Sequence, residues 1–507
     1  MNITDPIWRT MHAWPALTAL VHQGRLVSYG GLRATVEKLV TRLHQAGVRR
    51  GDCVGVSCAE PAPHLSLVLA LARIGAISTP LGVAYPAEVR KALLSRNAMR
   101  FCVRDDSENW TPPAPIALQC IAAGALFAKL DGETSTEARF VDDGANPVWR
   151  IFLSSGTTGV SKSVPWRHQQ ASLHQALHSS IDHCLPGSRL LVLMDLNVAM
   201  NRCLRQLVGG GTLVFSTGAQ PQEFFDVLRA DRPNSLLTTP AILADLFGSR
   251  TTLERAYASP LKLVTLAGSA VPPALIRAIR SELCLQVRVV YGSTEMGLLA
   301  IADAQVLDSE PNSTGRLLPW VEGEAVNGEG ETLPPGAGGI LRFRSQVMSD
   351  AYLDDPQASA LAFKDGGHYP GDLGAIDARG YVYLQGRTDD RINLQGIKLD
   401  PFSVEQVLLD YPGVQDAGVF ALATGSGLLQ LAALMVHSEP IELEKVQQWC
   451  RDRLGAQLVP HKFASVSKLP RTRLGKLDRE ALGATGPELL QSPAAGPVAR
   501  VASLPIP

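Results

Sequence analysis

The sequence is poor in several features that would place a protein in a class at once. Aromatic residues make up only 6% of its 507 positions. Its 47 lysine and arginine residues are balanced by 48 acidic residues, so no overall electric field draws the chain to nucleic acid or to an anionic membrane. Any recognition of charged groups must therefore be local.

Cysteine pairs, metal clusters and long apolar runs are also missing. The eight cysteines form no Cys-x-x-Cys pair and the histidines show no metal-ligand spacing, so we expect buried thiols in a reducing compartment. The longest apolar stretch, residues 65–77, is interrupted by Arg73 and Gly75 and predicts a buried helix and strand. The N-terminus lacks a signal-peptide pattern. We expect a cytoplasmic protein with no membrane span and no nucleic-acid partner.

Helix and strand patterns alternate over most of the chain. Apolar spacing predicts a helix over residues 29–47 and a buried strand at 53–56, and the alternation recurs as far as a helix beginning near Pro272. This pattern favours parallel sheets covered by helices, an α/β architecture. A chain of 507 residues is long enough for about two to four domains.

The amino-acid composition changes in the last third of the chain. Segments after about residue 335 are glycine-rich and β-prone. Beyond the charged segment 387–390, the pattern predicts a small α+β region, and the Ala-, Pro- and Gly-rich end predicts disorder. The expected boundaries are 1–388 for the N-terminal domain, 389–484 for the C-terminal domain and 485–507 for a disordered tail.

The most informative segment is a cluster of small and hydroxyl residues directly after the apolar stretch 149–152. Glycine lets a backbone approach an anion, hydroxyl groups donate hydrogen bonds, and lysine adds positive charge. A Walker P-loop requires glycine immediately before the lysine, where this chain has Ser161. A flexible surface loop can have the same composition. The predicted phosphate-binding residues are Ser155, Gly156, Thr157, Thr158, Gly159 and Lys162.

A second informative segment, Tyr291-Gly292-Ser293-Thr294-Glu295, follows the valine-rich run 287–290, which we predict to be a strand that ends there. The tyrosine can stack on a base and the threonine can bond a phosphate oxygen. The glutamate can hold Mg²⁺, which prefers carboxylate and phosphate oxygens. Taken alone, the segment is equally well explained as an ordinary strand and turn.

Three further segments place charge in the last third of the chain. Asp372, in the tight turn 371–374, can accept hydrogen bonds from both hydroxyls of a ribose. The charged clusters at 386–398 and 470–479 would each, if taken alone, be better explained as solvated surface.

In this order, the segments resemble the adenylate-forming superfamily, which includes acyl- and aryl-CoA synthetases, nonribosomal-peptide adenylation domains and luciferases. The resemblance covers nearly the whole chain, at residues 155–162, 291–295, 315–316, 371–372, 386–390 and 470–476. It implies a large N-terminal domain of α/β subdomains with mixed sheets and a small β-rich region, followed by a small mobile α+β C-terminal domain.

The resemblance implies roles for individual residues around ATP. Tyr291 stacks on adenine, the residues Gly268, Ser269 and Ala270 line its other side, and Asp372 and Arg387 hold the ribose. The phosphates are bound by Thr157, Thr158, Lys162 and Thr294, and Glu295 binds Mg²⁺.

The resemblance also implies how two half-reactions share one site. Lys476 reaches the site for adenylation, and Asp389 is the pivot about which the C-terminal domain rotates. Gly396 and Lys398 would then line the passage for the thiol, although Gly396 is equally well explained as a turn residue. Two positions depart from the pattern of the family: Ser163 stands where relatives have glycine, and Asn393 where many have lysine.

The implied reaction is ATP-dependent activation of a carboxylic acid through an acyl-adenylate. The acyl group then passes to a thiol, either of coenzyme A or of phosphopantetheine on a separate carrier protein. A carboxylate is already ionised at neutral pH, so the reaction needs charge neutralisation and in-line positioning rather than a general base.

The acid is predicted from the residues that begin the wall of its pocket. Asp195 can pair with a substrate ammonium and Asn197 can bond a ring hydroxyl, while both can instead be a polar strand end facing water. Met200 and Met296 are placed in the same pocket wall, and these apolar side chains predict a pocket for an aryl or medium aliphatic acid. Two alternatives stay open, an amino-acid adenylation enzyme that loads a carrier protein and an inactive nucleotide-binding regulatory protein.

Overall fold

The structure is a computed structural model, and it describes most of the chain. Of residues 393–394 and 397–398 it describes the backbone alone. The residues outside the description are 83–84, 86, 109, 111–116, 129–145, 155–160, 183, 217–220, 249–258, 395–396, 424–428, 438–439, 455–457, 473–474 and 491–507.

The helices lie mainly between strands, as the alternating pattern predicts. In chain order they are α1 Asp5–Ala13, α2 Tyr29–Gln45, α3 Pro61–Ile74, α4 Ala87–Arg96, α5 Ala123–Phe127, α6 His168–His178, α7 Leu196–Val208, α8 Pro221–Asp231, α9 Pro240–Gly248, α10 Pro273–Glu282, α11 Ala304–Ser309, α12 Pro356–Ala362, α13 Pro401–Leu409, α14 Leu443–Leu454 and α15 Arg479–Leu489.

The strands are short in the first half of the chain and longer near its end. They are β1 Thr18–His22, β2 Arg25–Ser28, β3 Cys53–Ser57, β4 Ile77–Pro80, β5 Phe101–Arg104, β6 Gln119–Ala122, β7 Val148–Ser154, β8 Lys162–Arg167, β9 Arg189–Leu193, β10 Thr212–Phe215, β11 Ser235–Thr238, β12 Leu263–Leu266, β13 Val287–Ser293, β14 Gly297–Ala302, β15 Gly315–Leu317, β16 Val321–Val326, β17 Gly339–Ser345, β18 Phe363–Lys364, β19 Gly367–His368, β20 Asp372–Ile376, β21 Tyr381–Arg387, β22 Ile392–Leu394, β23 Ile397–Leu399, β24 Val414–Ala423, β25 Leu429–His437 and β26 Lys462–Ser465.

A six-stranded sheet in the order β6-β5-β3-β4-β7-β8 forms the first layer. Its strands are parallel except for the antiparallel pair β7–β8. Helix α3 covers the sheet and is buried along almost its whole length, because its residues from 65 to 72 are nearly all apolar. It ends at Gly75, whose φ of 80° is left-handed and suits glycine. The long apolar stretch is therefore a core helix and strand, as predicted.

A fifteen-stranded mixed sheet forms the second layer. Strands β1, β10, β9, β11, β12 and β13 are parallel, and from β14 onwards the pairing is antiparallel. The antiparallel part begins at β14, before residue 335, and includes the glycine-rich strands that follow that residue. The predicted α/β architecture is thus confirmed, with mixed rather than purely parallel sheets.

The strand carrying Tyr291 is longer than predicted. It continues through Ser293 and turns directly into β14, whereas we expected it to end at residue 290. Gly292 makes the tight hairpin possible, because a Cβ there would lie 2.2 Å from the carbonyl oxygen of Gly297. The motif is therefore the closed end of a hairpin rather than a free strand end.

The last third of the chain forms a separate three-stranded sheet, β24-β25-β26, packed by α13 and α14. Helix α15 extends through Leu489, past the boundary expected at residue 484. Asp478 caps its first turn, Leu482 is fully buried, and Gly486 packs against the ring of Phe420. These contacts hold residues 485–489 as helix, which corrects the expected start of the tail.

All eight cysteines are free thiols, as expected, and five of them are buried. Among the described residues, no helix is both long and apolar enough to cross a membrane.

A buried ion pair fixes the C-terminal sheet to the segment that follows residue 388. Both guanidinium nitrogens of Arg479 bond the two carboxylate oxygens of Glu405, at 2.8 and 2.9 Å, and its Nε bonds Asp390 at 2.9 Å. Glu405 also accepts from the backbone N–H of Val419. One arginine thus joins helix α13, strand β24 and the chain entering the C-terminal region.

We expect Arg479→Ala to destabilise the C-terminal region by about 3 kcal/mol, because it leaves the buried Glu405 carboxylate without its cation. Hydrogen exchange of the amides in strand Val414–Ala423 measures the loss. The matched control is Arg451→Ala, which removes an exposed contact to Gln448 and should change opening by less than about 0.5 kcal/mol. Equal protection in both variants would contradict the assignment.

Candidate active site

The carboxyl ends of three neighbouring parallel strands bring the predicted nucleotide residues together. Strands β11, β12 and β13 pair in register, so Thr239, Gly268 and Tyr291 lie at one edge of the sheet. Ligands of α/β sheets bind at such edges. Gly268 has a φ of 102°, which only glycine adopts readily, and Ser269 and Ala270 that follow it are exposed or half-buried.

A network of three side chains lies beside this edge. The Tyr291 hydroxyl donates to Asp372 at 2.5 Å, and Arg387 donates to the other oxygen of Asp372 at 3.0 Å. Burial raises the pKa of Asp372, and Arg387 opposes that rise. Burial and then Asp372 raise the pKa of Tyr291 well above 10.0. Tyr291 is therefore a neutral donor, and it holds its ring at the edge of the sheet.

Glu295 lies in a second buried group on the other side of the hairpin. The Tyr352 hydroxyl donates to its carboxylate at 3.0 Å, and His368 Nε2 lies 3.8 Å from the second oxygen. The ammonium of Lys162 lies over the Tyr352 ring, 4.8 Å from the centroid. The pKa of His368 is lowered, because burial outweighs the opposing effect of Glu295. Tyr352 thus brings the carboxylate of Glu295 and the ammonium of Lys162 near each other.

The predicted phosphate loop is anchored at both ends. Residues 155–160 lie outside the described part of the chain, but Ser154 and Lys162 pair across the antiparallel hairpin β7–β8. Arg96 donates to the carbonyl of Ser161 at 2.9 Å. Lys162, at the end of the predicted phosphate loop, therefore lies near Glu295, because both contact Tyr352.

Lys476 reaches this site from the C-terminal region. It ends a turn in which the N–H of Thr472 donates to the Lys476 carbonyl at 2.8 Å. The neighbouring Gly475 packs so closely on the N-terminal sheet that a Cβ would lie 3.1 Å from Thr239 Oγ1. The pKa of the Lys476 ammonium is lowered by desolvation of its charged end and by Arg387, whereas Asp372 and Glu295 oppose that shift. Lys476 thus faces both charged groups of the site.

Comparison with known proteins assigns this arrangement to a family. The family described as AMP-binding enzyme matches residues 7–353, and the AMP-binding enzyme C-terminal domain matches residues 403–476. The chain belongs to the AMP-binding enzyme family. The predicted membership of the adenylate-forming enzymes is confirmed.

Full-length relatives accompany the family match. The chain is 27% identical to an indoleacetate–CoA ligase of Aromatoleum aromaticum over 95% of its own length and 97% of the relative. It is 27% identical to a 4-chlorobenzoate–CoA ligase of an Arthrobacter species over 93% and 92%. The ATP-bound structure of MatB from Rhodopseudomonas palustris superposes with a TM-score of 0.83 at 22% identity, covering 96% and 99% of the two chains.

The residue predicted as the pivot of this AMP-binding enzyme has a fixed charge. Asp389 accepts from Arg387 at 3.2 Å and from the Thr388 hydroxyl at 3.2 Å. Burial raises the pKa of Asp389, but the ion pair and hydrogen bond with Arg387, together with hydrogen bonds from the backbone and from Thr388, make the net shift downward. Gly396 lies outside the described residues, and of Lys398 only the backbone is described.

The predicted pocket residues do not form one group. Asp195 caps helix α7 by accepting from the N–H of Asn197, and the Asn197 amide oxygen accepts from the buried Arg150 at 2.6 Å. Met200 is fully buried in the core that contains α7, and Met296 lies in a different core beside Leu299. Asp195 is therefore bonded within its own helix, and Asn197 is bonded to Arg150 of the first sheet.

The sequence analysis did not single out Arg150, Tyr352 or His368. Arg150 lay in a stretch recognised only as apolar, and its polar partners, Ser78 and Asn197, come from distant elements. Four strands, β14 to β17, lie between Glu295 and Tyr352 in the chain, so neither spacing nor composition could pair them. The departure at Ser163 is accommodated, because that residue is fully buried and its carbonyl accepts from Leu353.

The site fits a magnesium ion only in company with phosphate. Within the described ranges, no three His, Cys, Asp or Glu residues are grouped as a metal site. Glu295 supplies a buried carboxylate instead. Because Mg²⁺ is held in such enzymes by one or two carboxylates together with substrate phosphates, this donor set is suitable.

The charges around Lys476 predict how its pKa responds to substitution. Arg387→Gln should raise the pKa, since it removes a nearby cation, and Asp372→Asn should lower it further, since it removes an anion. Competitive acetylation of Lys476 across pH measures both shifts. Asp377→Asn, in the exposed pair with Arg379, is the control and should change nothing. Shifts of the same sign in both variants would show that Lys476 does not face this pair.

Proposed function

We propose that this AMP-binding enzyme activates a carboxylic acid with ATP through an acyl-adenylate and transfers the acyl group to a thiol. The observation that carries the proposal is the position of Lys476. A lysine of the C-terminal region lies against the strand edge that holds Tyr291 and is coupled to Asp372 and Glu295. An inactive nucleotide-binding protein would not require a lysine of the C-terminal region to lie near these charged groups.

The nucleoside of ATP would occupy the edge of the parallel strands. Tyr291 would stack on adenine opposite Gly268, Ser269 and Ala270. Asp372, which accepts a hydrogen bond from Arg387, would accept from the ribose hydroxyls. The hydrogen bond between Tyr291 and Asp372 supports both roles, because it fixes the ring and the carboxylate relative to each other.

The phosphates would lie between the anchored loop and Glu295. Lys162 is placed for this by the hairpin that ends at Ser154, and the hydroxyls of Thr157, Thr158 and Thr294 would donate to phosphate oxygens. Glu295 would hold Mg²⁺, which supplies charge neutralisation when bound. The loop backbone would approach the phosphates closely at Ser155, Gly156 and Gly159. The opposite hairpin is closed by Gly292 and Ser293.

The chemistry needs stabilisation of negative charge more than proton transfer. The acid is ionised at neutral pH and can attack the α-phosphorus directly. Charge then builds on the α-phosphoryl oxygens and on pyrophosphate, where a fixed cation in a partly desolvated site lowers the barrier. Lys476 is that cation.

Thiol transfer would require Lys476 to leave. The segment that carries it is attached to the N-terminal domain through residues 387–390, and Asp389 lies there in an ion pair with Arg387. Rotation at Asp389 would withdraw the lysine and bring Gly396 and Lys398 beside the incoming thiol. Coenzyme A and carrier-bound phosphopantetheine both have the required pantetheine arm.

The acid would be an aryl or medium aliphatic acid rather than an amino acid. Asp195, the residue available to pair with a substrate ammonium, already caps helix α7 by accepting from the N–H of Asn197, and the positive charge of Arg150 lies nearby. The half-buried Leu298 adds apolar surface beside Met296 and Leu299, which are themselves fully buried. Two relatives named for indoleacetate and 4-chlorobenzoate support an aromatic acid.

Lys476→Ala should lower ATP–pyrophosphate exchange by about 100- to 1,000-fold, because the developing charge loses its cation, yet spare thiolysis of a supplied acyl-adenylate. Both half-reactions are measured separately by radiolabel exchange and thioester formation. Lys468→Ala, an exposed lysine eight positions earlier on the same region, is the control. Equal losses in the two half-reactions would contradict domain rotation.

A panel of aryl, fatty and amino acids in the exchange assay tests the acid class, and coenzyme A against a carrier protein tests the acceptor. We expect exchange with aryl or medium aliphatic acids and little with amino acids, because the Asp195 carboxylate already caps helix α7. Exchange with amino acids alone would favour the adenylation enzyme. No exchange with any acid would overturn enzymatic activation altogether.

A further inference from the structure

Tyr352 lies between a cation and an anion of the active site. Its hydroxyl donates to Oε1 of Glu295 at 3.0 Å, and the ammonium of Lys162 lies over its ring, 4.8 Å from the centroid. Lys162 and Glu295 form no direct ion pair with each other, although both side chains belong to the described part of the chain. One tyrosine therefore contacts two opposite charges that do not contact each other.

The backbone around Tyr352 is bonded to the elements that carry both charges. The N–H of Leu353 donates to the carbonyl of Ser163 at 2.8 Å, which joins this segment to the hairpin β7–β8. The N–H of Ser349 donates to the carbonyl of Glu295 at 2.8 Å. These two bonds fix the position of the tyrosine relative to the lysine and to the glutamate.

Aromatic packing restricts the Tyr352 ring further. Phe363 meets it edge-on with 5.2 Å between centroids, and Phe363 in turn contacts the ring of His368 at 4.9 Å. Tyr352 is 7% exposed. Burial and then Glu295 raise the pKa of Tyr352, so the hydroxyl keeps its proton and donates. The donor that holds Glu295 thus belongs to a ring with little freedom to move.

The two oxygens of the Glu295 carboxylate have different surroundings. Oε1 accepts from Tyr352, whereas no residue in the described ranges donates a hydrogen bond to Oε2, and Nε2 of His368 lies 3.8 Å from it. Carboxylates that bind a metal are themselves hydrogen-bonded, and those partners set the orientation of the ligand. Tyr352 has the position of such a partner, since it holds one oxygen and leaves the other.

Separation of the two charges matters because a direct ion pair would compensate both. An ammonium in contact with the carboxylate would compete with Mg²⁺, and the carboxylate would compete with phosphate for the ammonium. A tyrosine can hold both groups close without joining them. Its hydroxyl donates to an anion, and the face of its ring attracts a cation.

We propose that Tyr352 is a positioning residue of the phosphate site, whose hydroxyl orients Glu295 for Mg²⁺ and whose ring keeps Lys162 available to phosphate. This inference rests on the proposed function, because it takes Glu295 to bind Mg²⁺ and Lys162 to bind the phosphates of ATP. Tyr352 acts through these two partners and touches neither ATP nor the acid. One side chain thus couples the metal ligand to the end of the phosphate loop.

Tyr352→Phe tests the hydroxyl, because it keeps the ring beneath Lys162 and removes only the bond to Glu295. Titration calorimetry measures the dissociation constant for ATP with Mg²⁺ and for ATP in EDTA. We expect the variant to bind Mg²⁺–ATP about 10-fold more weakly, since metal ligands that lose such a partner lose affinity of this order, and to bind metal-free ATP as the wild type does. Equal changes with and without Mg²⁺ would overturn the role of the hydroxyl.

The matched control is Tyr383→Phe, which removes another tyrosine hydroxyl that is bonded to a glutamate. That hydroxyl donates to Glu310 at 3.1 Å, outside the group around Glu295, so both ATP affinities should stay unchanged. Thermal unfolding of the two variants shows whether either has lost stability. A loss of Mg²⁺–ATP affinity as large as that of Tyr352→Phe would show a general effect and overturn the inference.

A double-mutant cycle shows whether the hydroxyl acts through Glu295. In a Glu295→Gln background the charged ligand is gone, so adding Tyr352→Phe should change Mg²⁺–ATP affinity by less than about 2-fold. Independent effects would multiply instead. A further loss of about 10-fold in the double variant would therefore assign the tyrosine a structural role and contradict the proposal.

Tyr352→Leu tests the ring, because leucine offers no aromatic face to the ammonium of Lys162. The lysine can then pair with Glu295 in place of phosphate. We expect metal-free ATP to bind about 2- to 5-fold more weakly to Tyr352→Leu than to Tyr352→Phe. Adding Lys162→Gln to both variants should abolish the difference. Equal affinities of the two single variants would overturn the role of the ring.

ATP binding separates failure of this inference from failure of the proposed function. If no acid supports ATP–pyrophosphate exchange, the proposed function is wrong, and the calorimetric comparison of Tyr352→Phe with the wild type still decides the role of the tyrosine. If exchange proceeds and Tyr352→Phe keeps the wild-type affinity for Mg²⁺–ATP, the inference is wrong and the proposed function stands. A wild type that binds no ATP would overturn both.

Discussion

The ion pair between Asp372 and Arg387 is the interaction on which the rest of the site depends. It joins adjacent strands of the antiparallel region at the point where the N-terminal domain ends. Asp372 holds the hydroxyl of Tyr291, and Arg387 holds Asp389 at the start of the C-terminal region. Burial raises the pKa of the Asp372 carboxyl group, and Arg387 opposes that rise. The same guanidinium depresses the pKa of Lys476 across the domain boundary.

This arrangement explains why a lysine delivered by a second domain is useful. A cation fixed permanently between Asp372 and Glu295 would block the passage that a thiol needs, and a cation fixed elsewhere would not meet the developing charge. Gly475 resolves the conflict, because it lets the turn carrying Lys476 press against Thr239 without a side chain between them. The contact is close but small, so the rotation proposed at Asp389 would break it.

Helix α7 is held to both sheets by buried arginines. At its start, Arg150 of the first sheet bonds the amide oxygen of Asn197 and the hydroxyl of Ser78. Further along the helix, Arg202 and Arg205 form ion pairs with Asp182, which also pairs with Arg288 of the second sheet. These contacts join elements that are far apart in the chain.

The sequence by itself determined the family, the alternation of helices and strands, and the residues at the nucleotide edge. Those features are local, since each motif is a short segment whose spacing reflects a loop or strand end. The tertiary structure alone decided the partners of Glu295, the engagement of Asn197 and the convergence on Asp182. Each of these brings together side chains from elements far apart in the chain, and periodicity reports only which face a residue occupies, not what packs against it.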